Sequence, residues 1–271
     1  ILNGLGGAGP ANIPDSDYGR QLEFINTTDT LSNTYAESIS NAFNSGQNDV
    51  SYPDTDLADQ LKTVARLIGG DLGSKVYMVR ISGFDTHNLQ VQGVGDVLGK
   101  HHTLLDELSG ALDAFMNDID SQNIADDVVG ITFSEFGRKA RENGNFGTDH
   151  GEIAPMFVFG KPVAGGVSGI NPNLSEATDA NNYQIQTVQH DYRQTFATLL
   201  QNFLGADDTI IDATFFNHTL NESFTDLKLD NLLKAEFKLD SECFGGTLST
   251  NTSENVKNWL VYPNPFRDTL N

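Results

Sequence analysis

A chain of 271 residues with 16 Lys and Arg against 37 Asp and Glu carries a formal charge of −21. That excess of carboxylates excludes non-specific nucleic-acid binding, which depends on basic side chains releasing counterions from phosphates, and it sets the chain against anionic membrane surfaces. Hydrophobic residues at 38%, with 17 Phe, are enough for a sizeable core, and no stretch approaches the roughly 20 consecutive apolar residues that span a bilayer.

Residues 1–50, rich in Asn, Ser, Thr, Asp and Gly, read as irregular structure with one short helix near Thr34–Phe43. The opening ILNGLGGAGPANIP has neither a charged nor an apolar leader, so we expect the natural beginning to lie upstream of Ile1. The first strong helix carries Leu57, Leu61, Val64, Ala65 and Ile68 on one face and stops at Gly69-Gly70. Lys75–Ile81 (KVYMVRI) is too short for a helix and reads as a buried strand closed by Ser82-Gly83. A long helix from about His101 to Asp120 repeats Leu104, Leu105, Leu108, Ala111, Leu112, Phe115 and Ile119 at helical spacing, and Val128–Phe133 (VVGITF) reads as a second buried strand. Strand, helix and strand make a βαβ unit, so the two strands are expected to be parallel with a right-handed crossover. The residues after each strand then emerge at one carboxyl edge, where open α/β sheets bind ligands. A third apolar run spans Pro155–Phe159, and Thr187–Leu204 reads as a third helix stopped by Gly205. Residues 241–257 read as a polar linker, and residues 258–271 (NWLVYPNPFRDTLN) close the chain.

The chemistry gathers after the strands. Asp85 and His87 in GFDTH stand two apart, so in an extended backbone both side chains point the same way. A carboxylate with an imidazole is half of a divalent-metal site, of a mixed oxygen and nitrogen character that suits Zn²⁺ or Mn²⁺ better than Ca²⁺ or Mg²⁺. Glu135 leaves the second strand at the same edge and is a candidate ligand of the same or a second ion. His150, with Asp149 beside it, reaches that edge only if the loop from Arg138 to Glu152 folds back or the following strand runs antiparallel. Arg138 is a candidate for binding a planar or tetrahedral anion and so for stabilising developing negative charge. Each residue also has a plainer reading: an Asp after a strand is often a turn or cap residue, and Glu135 can pair with Arg138, Lys139 or Arg141 on the surface. His101, His102 and His190 fall at helix starts, where capping or solvation is the usual role, and His218 stands in no motif. The chain has no G-x-S-x-G elbow, no P-loop and no G-x-G-x-x-G after a strand. The single cysteine, Cys243, forbids an intramolecular disulfide and has no evident base to activate it.

The ordered set GFDTH, SEFGR and DHG, with DQLKTVARLIGG, HHTLLDELSGALDAFMNDI and QHDYRQTFATLLQNFLG around it, resembles the bacterial family called domain of unknown function 1501, related to the alkaline phosphatase and sulfatase superfamily. The resemblance covers roughly residues 50–205. It implies an α/β fold with a central, mostly parallel sheet flanked by helices, its N-terminal strand or strands missing from this chain. It assigns Asp85, His87 and His150 to one metal site, Glu135 to a second, and Asp149 and Arg138 to supporting places. The superfamily's nucleophile has no counterpart here. The expected organisation is an irregular segment 1–50, the hydrolase-like domain 51–240, the linker 241–257 and the tail 258–271. That tail resembles the opening of the C-terminal sorting domain of type IX secretion in Bacteroidota, which implies passage through that secretion machinery and a secreted or cell-surface location. The expectation is therefore an exported hydrolase with one or two divalent ions, acting on a phosphate or sulfate ester of a small molecule or glycan. The alternative is a non-catalytic extracellular binding or assembly protein that keeps the fold.

Overall fold

The spacing of Leu57, Leu61 and Ala65 becomes helix α2, Asp56–Gly69, in a computed structural model that describes residues 13–215 and 228–239. Thr55 caps it, its hydroxyl accepting from the Ala58 amide at 3.2 Å, which satisfies one of the amides every helix start leaves open. Leu57, Ala58, Leu61 and Ala65 are buried on one face and meet Ala111, Phe115 and Ile119 of helix α3, Lys100–Ser121. Tyr52, Val79, Ile81, Val128 and Phe159 close around this helix pair, and each fully buried aliphatic or aromatic side chain there contributes about 1.5–3 kcal/mol.

The segment expected to be irregular holds a longer helix than its composition suggests. Helix α1 runs Asp17–Ser45, where the sequence predicted one short helix near Thr34–Phe43. Ser16 caps its start by accepting from the Gly19 amide at 3.1 Å. At its far end Arg66 of α2 donates to the carbonyls of Phe43 at 2.6 Å and Gly46 at 3.0 Å and lies 4.2 Å over the Phe43 ring. Caps and tertiary anchors at both ends outweigh the weak intrinsic preferences of Asn, Ser and Thr. The crossing is close: a Cβ on Gly70 would stand 1.9 Å from the Ala42 carbonyl oxygen, so that position accepts no side chain.

The loop from α1 to α2 is pinned by a buried charge. Asp118 of α3 is fully buried and accepts four hydrogen bonds, from Asn48 Nδ2 (2.8 Å), the Asp49 amide (2.9 Å), Tyr52 Oη (2.8 Å) and Gln122 Nε2 (3.0 Å). Burial pushes its carboxyl up, and these four donors together outweigh that and hold it below the ordinary aspartate value. The same contact works in reverse on Tyr52: burial, then the Asp118 hydrogen bond, raises its phenol.

The sheet differs from the expected one. Residues 76–81 form no regular element; Tyr77, Val79 and Ile81 are half-buried, while Val76 and Met78 are 74% and 81% exposed. No ladder forms there: Gln60 of α2 answers the backbone of Arg80 in both directions, Nε2 to the carbonyl and Oε1 to the amide, each at 2.9 Å. A side-chain amide thus replaces the neighbouring strand. The Val128–Phe133 run contributes strand β1, Gly130–Ile131, whose partner is β4, Val158–Phe159, in antiparallel register. The third apolar run, and not KVYMVRI, satisfies its backbone, so no parallel pair forms among the described residues. The other sheet is an antiparallel hairpin of β2, Gly137–Glu142, and β3, Thr148–Gly151. The fold is mixed α/β with two small antiparallel sheets.

All of these elements belong to one of two units, which combines the described residues 13–72, 76–163 and 170–188. Of the described residues, the second unit comprises 73–75, 164–169, 189–215 and 228–239. Its helix α4, Tyr192–Asn202, starts at the cap Asp191, where a capping box with Gln194 places the boundary five residues inside the predicted span. Ala197 and Ala206 pack with Ile211 of helix α5, Asp208–Phe215, and the buried Gln201 donates to Asp208 at 2.6 Å. None of the described helices is long and apolar enough to cross a membrane. His218, Cys243, the linker and the tail lie outside the described residues.

Candidate metal centre

The loop after Ile81 turns twice within four residues. The Thr86 amide bonds the Phe84 carbonyl at 2.9 Å and the His87 amide bonds the Asp85 carbonyl at 3.1 Å. Thr86 is driven inward, 3% exposed, and Asp85 and His87 are left on the outer side. The two side chains therefore converge through a pair of tight turns, and not through the extended strand the sequence suggested: His87 Nδ1 lies 2.8 Å from Asp85 Oδ1.

His150 arrives from the hairpin. The loop between β2 and β3 folds back, meeting the condition that the sequence set, and the register puts His150 opposite Arg138. His150 Nε2 stands 2.9 Å from Asp85 Oδ1, so both imidazoles aim a nitrogen at one carboxylate oxygen. The Phe136 ring stacks on His150 at 3.7 Å and 14°, and the two histidine rings are 4.8 Å apart. The nearest ligand atoms of Asp85, His87 and His150 all lie within 4.8 Å of one another, on an exposed surface.

Arg138 is turned toward this cluster and away from solvent. Its guanidinium donates to Asp85 Oδ1 at 2.8 Å, to the Phe84 carbonyl at 2.5 Å and to the Thr148 carbonyl at 2.8 Å, and it lies 5.1 Å over Phe136. The hydrogen bond from His150, then that from Arg138 and the charge of His87, holds the Asp85 carboxyl below the ordinary aspartate value against the opposing effect of desolvation.

The other two predicted ligands stand apart from this group. Glu135 is exposed, its carboxylate 3.5 Å from the Ser134 hydroxyl, and does not join the three ligand atoms. Asp149 is engaged by Asn143 at 3.2 Å and Lys139 at 3.5 Å; these contacts, Asn143 first, lower its carboxyl. His101 meets Phe84 edge-on at 6.0 Å, and the α3 start is capped by Gly99 instead. His190 lies in the second unit, 3.0 Å from the Ser168 hydroxyl.

Sequence reasoning missed the residues that shape the site. Phe136 sits inside SEFGR, and the aromatic beside a charged motif was the available signal. Asn143 donates to the His87 carbonyl at 2.8 Å, and the NGNFG turn around it could have been read as a hairpin. Gly147 lets the hairpin lie flat on the ligand loop: a Cβ there would stand 2.3 Å from the His87 carbonyl carbon.

The donor set fits a small divalent ion. Two imidazole nitrogens and a carboxylate oxygen are a zinc-type combination that leaves a coordination position open. Ligand atoms about 2.0–2.1 Å from a tetrahedral ion lie roughly 3.3 Å apart by geometry, so the two imidazole nitrogens, 2.8 and 2.9 Å from Asp85 Oδ1, would have to move apart from that oxygen to admit one.

Compared with known proteins, residues 40–212 match the model of the family described as "Protein of unknown function (DUF1501)". Neither the curated proteins nor the solved structures yielded a match.

Proposed function

Because the chain belongs to the DUF1501 family, whose description leaves the activity open, we propose from the site itself that it is a metal-dependent hydrolase acting on phosphate or sulfate esters. The observation that carries this reading is the convergence of Asp85, His87 and His150 within 4.8 Å. These residues would hold one Zn²⁺ or Mn²⁺, which supplies polarisation of an ester oxygen and an activated water or hydroxyl at neutral pH. The chain's own contribution is orientation. Arg138, spending its donors on Asp85 and two carbonyls, positions the carboxylate, and Phe136 fixes the plane of His150. Glu135, exposed beside Phe136, remains a ligand candidate for a second ion. The order GFDTH, SEFGR, DHG supports kinship with the alkaline phosphatase and sulfatase superfamily, and the YPNPF tail supports export to the cell surface or medium.

One feature favours the non-catalytic alternative. The three candidate ligands lie exposed, where a structural ion in an extracellular assembly protein would also sit. Elemental analysis of the purified chain is expected to find at least one transition metal, lost in Asp85→Ala and in His87→Ala. Full occupancy in both variants would defeat the metal reading. Turnover of aryl phosphate or aryl sulfate esters by the metal-loaded chain separates the hydrolase from the structural protein.

A further inference from the structure

Besides Arg138 and Asn143, one further side-chain atom joins the two segments that carry the candidate ligands, the loop of Asp85 and His87 and the strand of His150. Gln90 Oε1 accepts from Thr86 Oγ1 at 2.8 Å and from Thr148 Oγ1 at 2.9 Å. Thr86 stands between the two ligands of the loop, and Thr148 lies two residues before His150 on β3, hence on the same side of the strand. A carboxamide oxygen has two lone pairs, and both are spent here.

Gln90 is itself held in place on several sides. The flanking amides of Leu89 and Val91 bond the carbonyls of Asn145 and Phe146 at 3.0 and 3.1 Å, and its own carbonyl accepts from His101 at 3.3 Å. Its oxygen is therefore placed by the hairpin and by the start of α3 together. Backbone contacts such as Thr148 amide to Thr86 carbonyl, 3.2 Å, set the register of the two segments. The two threonine hydroxyls are left to Gln90.

We propose that Gln90 is a positioning residue of the metal centre: its side-chain oxygen ties the Asp85–His87 loop to the His150 strand and so sets the spacing of the three ligand atoms. This deepens the metal reading and rests on it. Only an acceptor is required, so Gln90→Glu preserves the tie and Gln90→Ala removes it. Groups hydrogen-bonded to metal ligands typically govern about 10–100-fold in affinity, and Gln90, which bonds the neighbours of the ligands, belongs at the low end of that range. Zinc titration of the whole chain is expected to show binding weakened by about tenfold or more in Gln90→Ala and within about threefold of the parent in Gln90→Glu.

The side-chain ¹H–¹⁵N resonances of His87 and His150 in the zinc-free protein give a readout that does not depend on metal. They are expected to move in Gln90→Ala and to return in Gln90→Glu. Should Gln90→Ala fail to fold, Thr86→Val and Thr148→Val each cut one arm and repeat both measurements. Unchanged zinc affinity, or a lowered melting temperature with both histidine resonances in place, overturns the proposal and leaves Gln90 a structural residue. A parent chain that takes up no zinc while its resonances respond as described upholds the tie between the segments and refutes the metal reading alone.

Discussion

Asp118→Asn tests how the first unit is held together. The parent carboxylate receives four donors, two on each oxygen. An amide keeps one acceptor oxygen for two of them and turns an NH₂ group on the other two. The least costly arrangement faces that NH₂ toward Tyr52 and Asn48: the Tyr52 hydroxyl can rotate to accept, whereas Asn48 Nδ2 is also committed to the Lys62 carbonyl at 2.9 Å and meets a second donor. Hydrogen bonds to a charged group are worth about 1.5–3 kcal/mol each, so losing one and weakening the rest should cost about 3 kcal/mol. At roughly 2–4 °C per kcal/mol for a protein of this size, the melting temperature falls by about 6–12 °C, measured by calorimetry or circular dichroism at pH 7.

The pH dependence supplies the stricter check. Asp118 titrates below the ordinary value of 3.8 in the folded chain, so the stability it contributes is present above that value and is lost as pH falls through the folded pKa. The gap between parent and variant should hold from pH 7 down to about 4 and shrink below that, as the parent carboxyl takes a proton and comes to resemble the amide. Because the other carboxylates are common to both proteins, their effects cancel in the difference. A gap under about 1 kcal/mol at pH 7, or one that persists unchanged into the acid range, would refute this account of the α1–α2 loop.

Other perturbations test the same geometry. Phe115→Ala, at the centre of the α2–α3 core and 3% exposed, is expected to cost about 3–5 kcal/mol in chemical denaturation. Gly147→Ala places a methyl 2.3 Å from the His87 carbonyl carbon, so it should weaken zinc binding in a competitive titration by displacing the ligand loop, while Gly93→Ala, where a methyl meets open space and the backbone is not in the left-handed region, leaves zinc binding unchanged. Chelation should lower the melting temperature of the zinc-loaded chain, by the equivalent of about 2.7 kcal/mol when free zinc had been at 100 times its dissociation constant. In Asp85→Ala the same chelation should have no effect.

The site and the helices were readable to different depths. α2 and α3 were legible almost to the residue, because a run of 14 or 22 residues with one apolar face states its own period and needs no partner to be recognised. α1 was under-read because its stability comes from a cap and from Arg66 gripping its end, neither of which leaves a periodic trace. The motifs GFDTH and DHG pointed to Asp85, His87 and His150, since the ligand chemistry of a residue type is local. Gln90, Phe136 and Asn143, which bond or stack on these residues and their neighbours, belong to no such chemistry and escaped notice.

Residue identity alone determined the acidity, the apolar faces of the central helices and the kinds of atoms available to bind an ion. Which strands pair was decided only in three dimensions: KVYMVRI and VVGITF have the same local character, and what separates them is whether a Gln60 amide or the run ending at Phe159 meets their backbone. The same holds for the candidate centre. A hydrogen bond between residues 65 positions apart depends on a hairpin folding back over a loop, and that proximity is a property of the folded chain that no short window of sequence encodes.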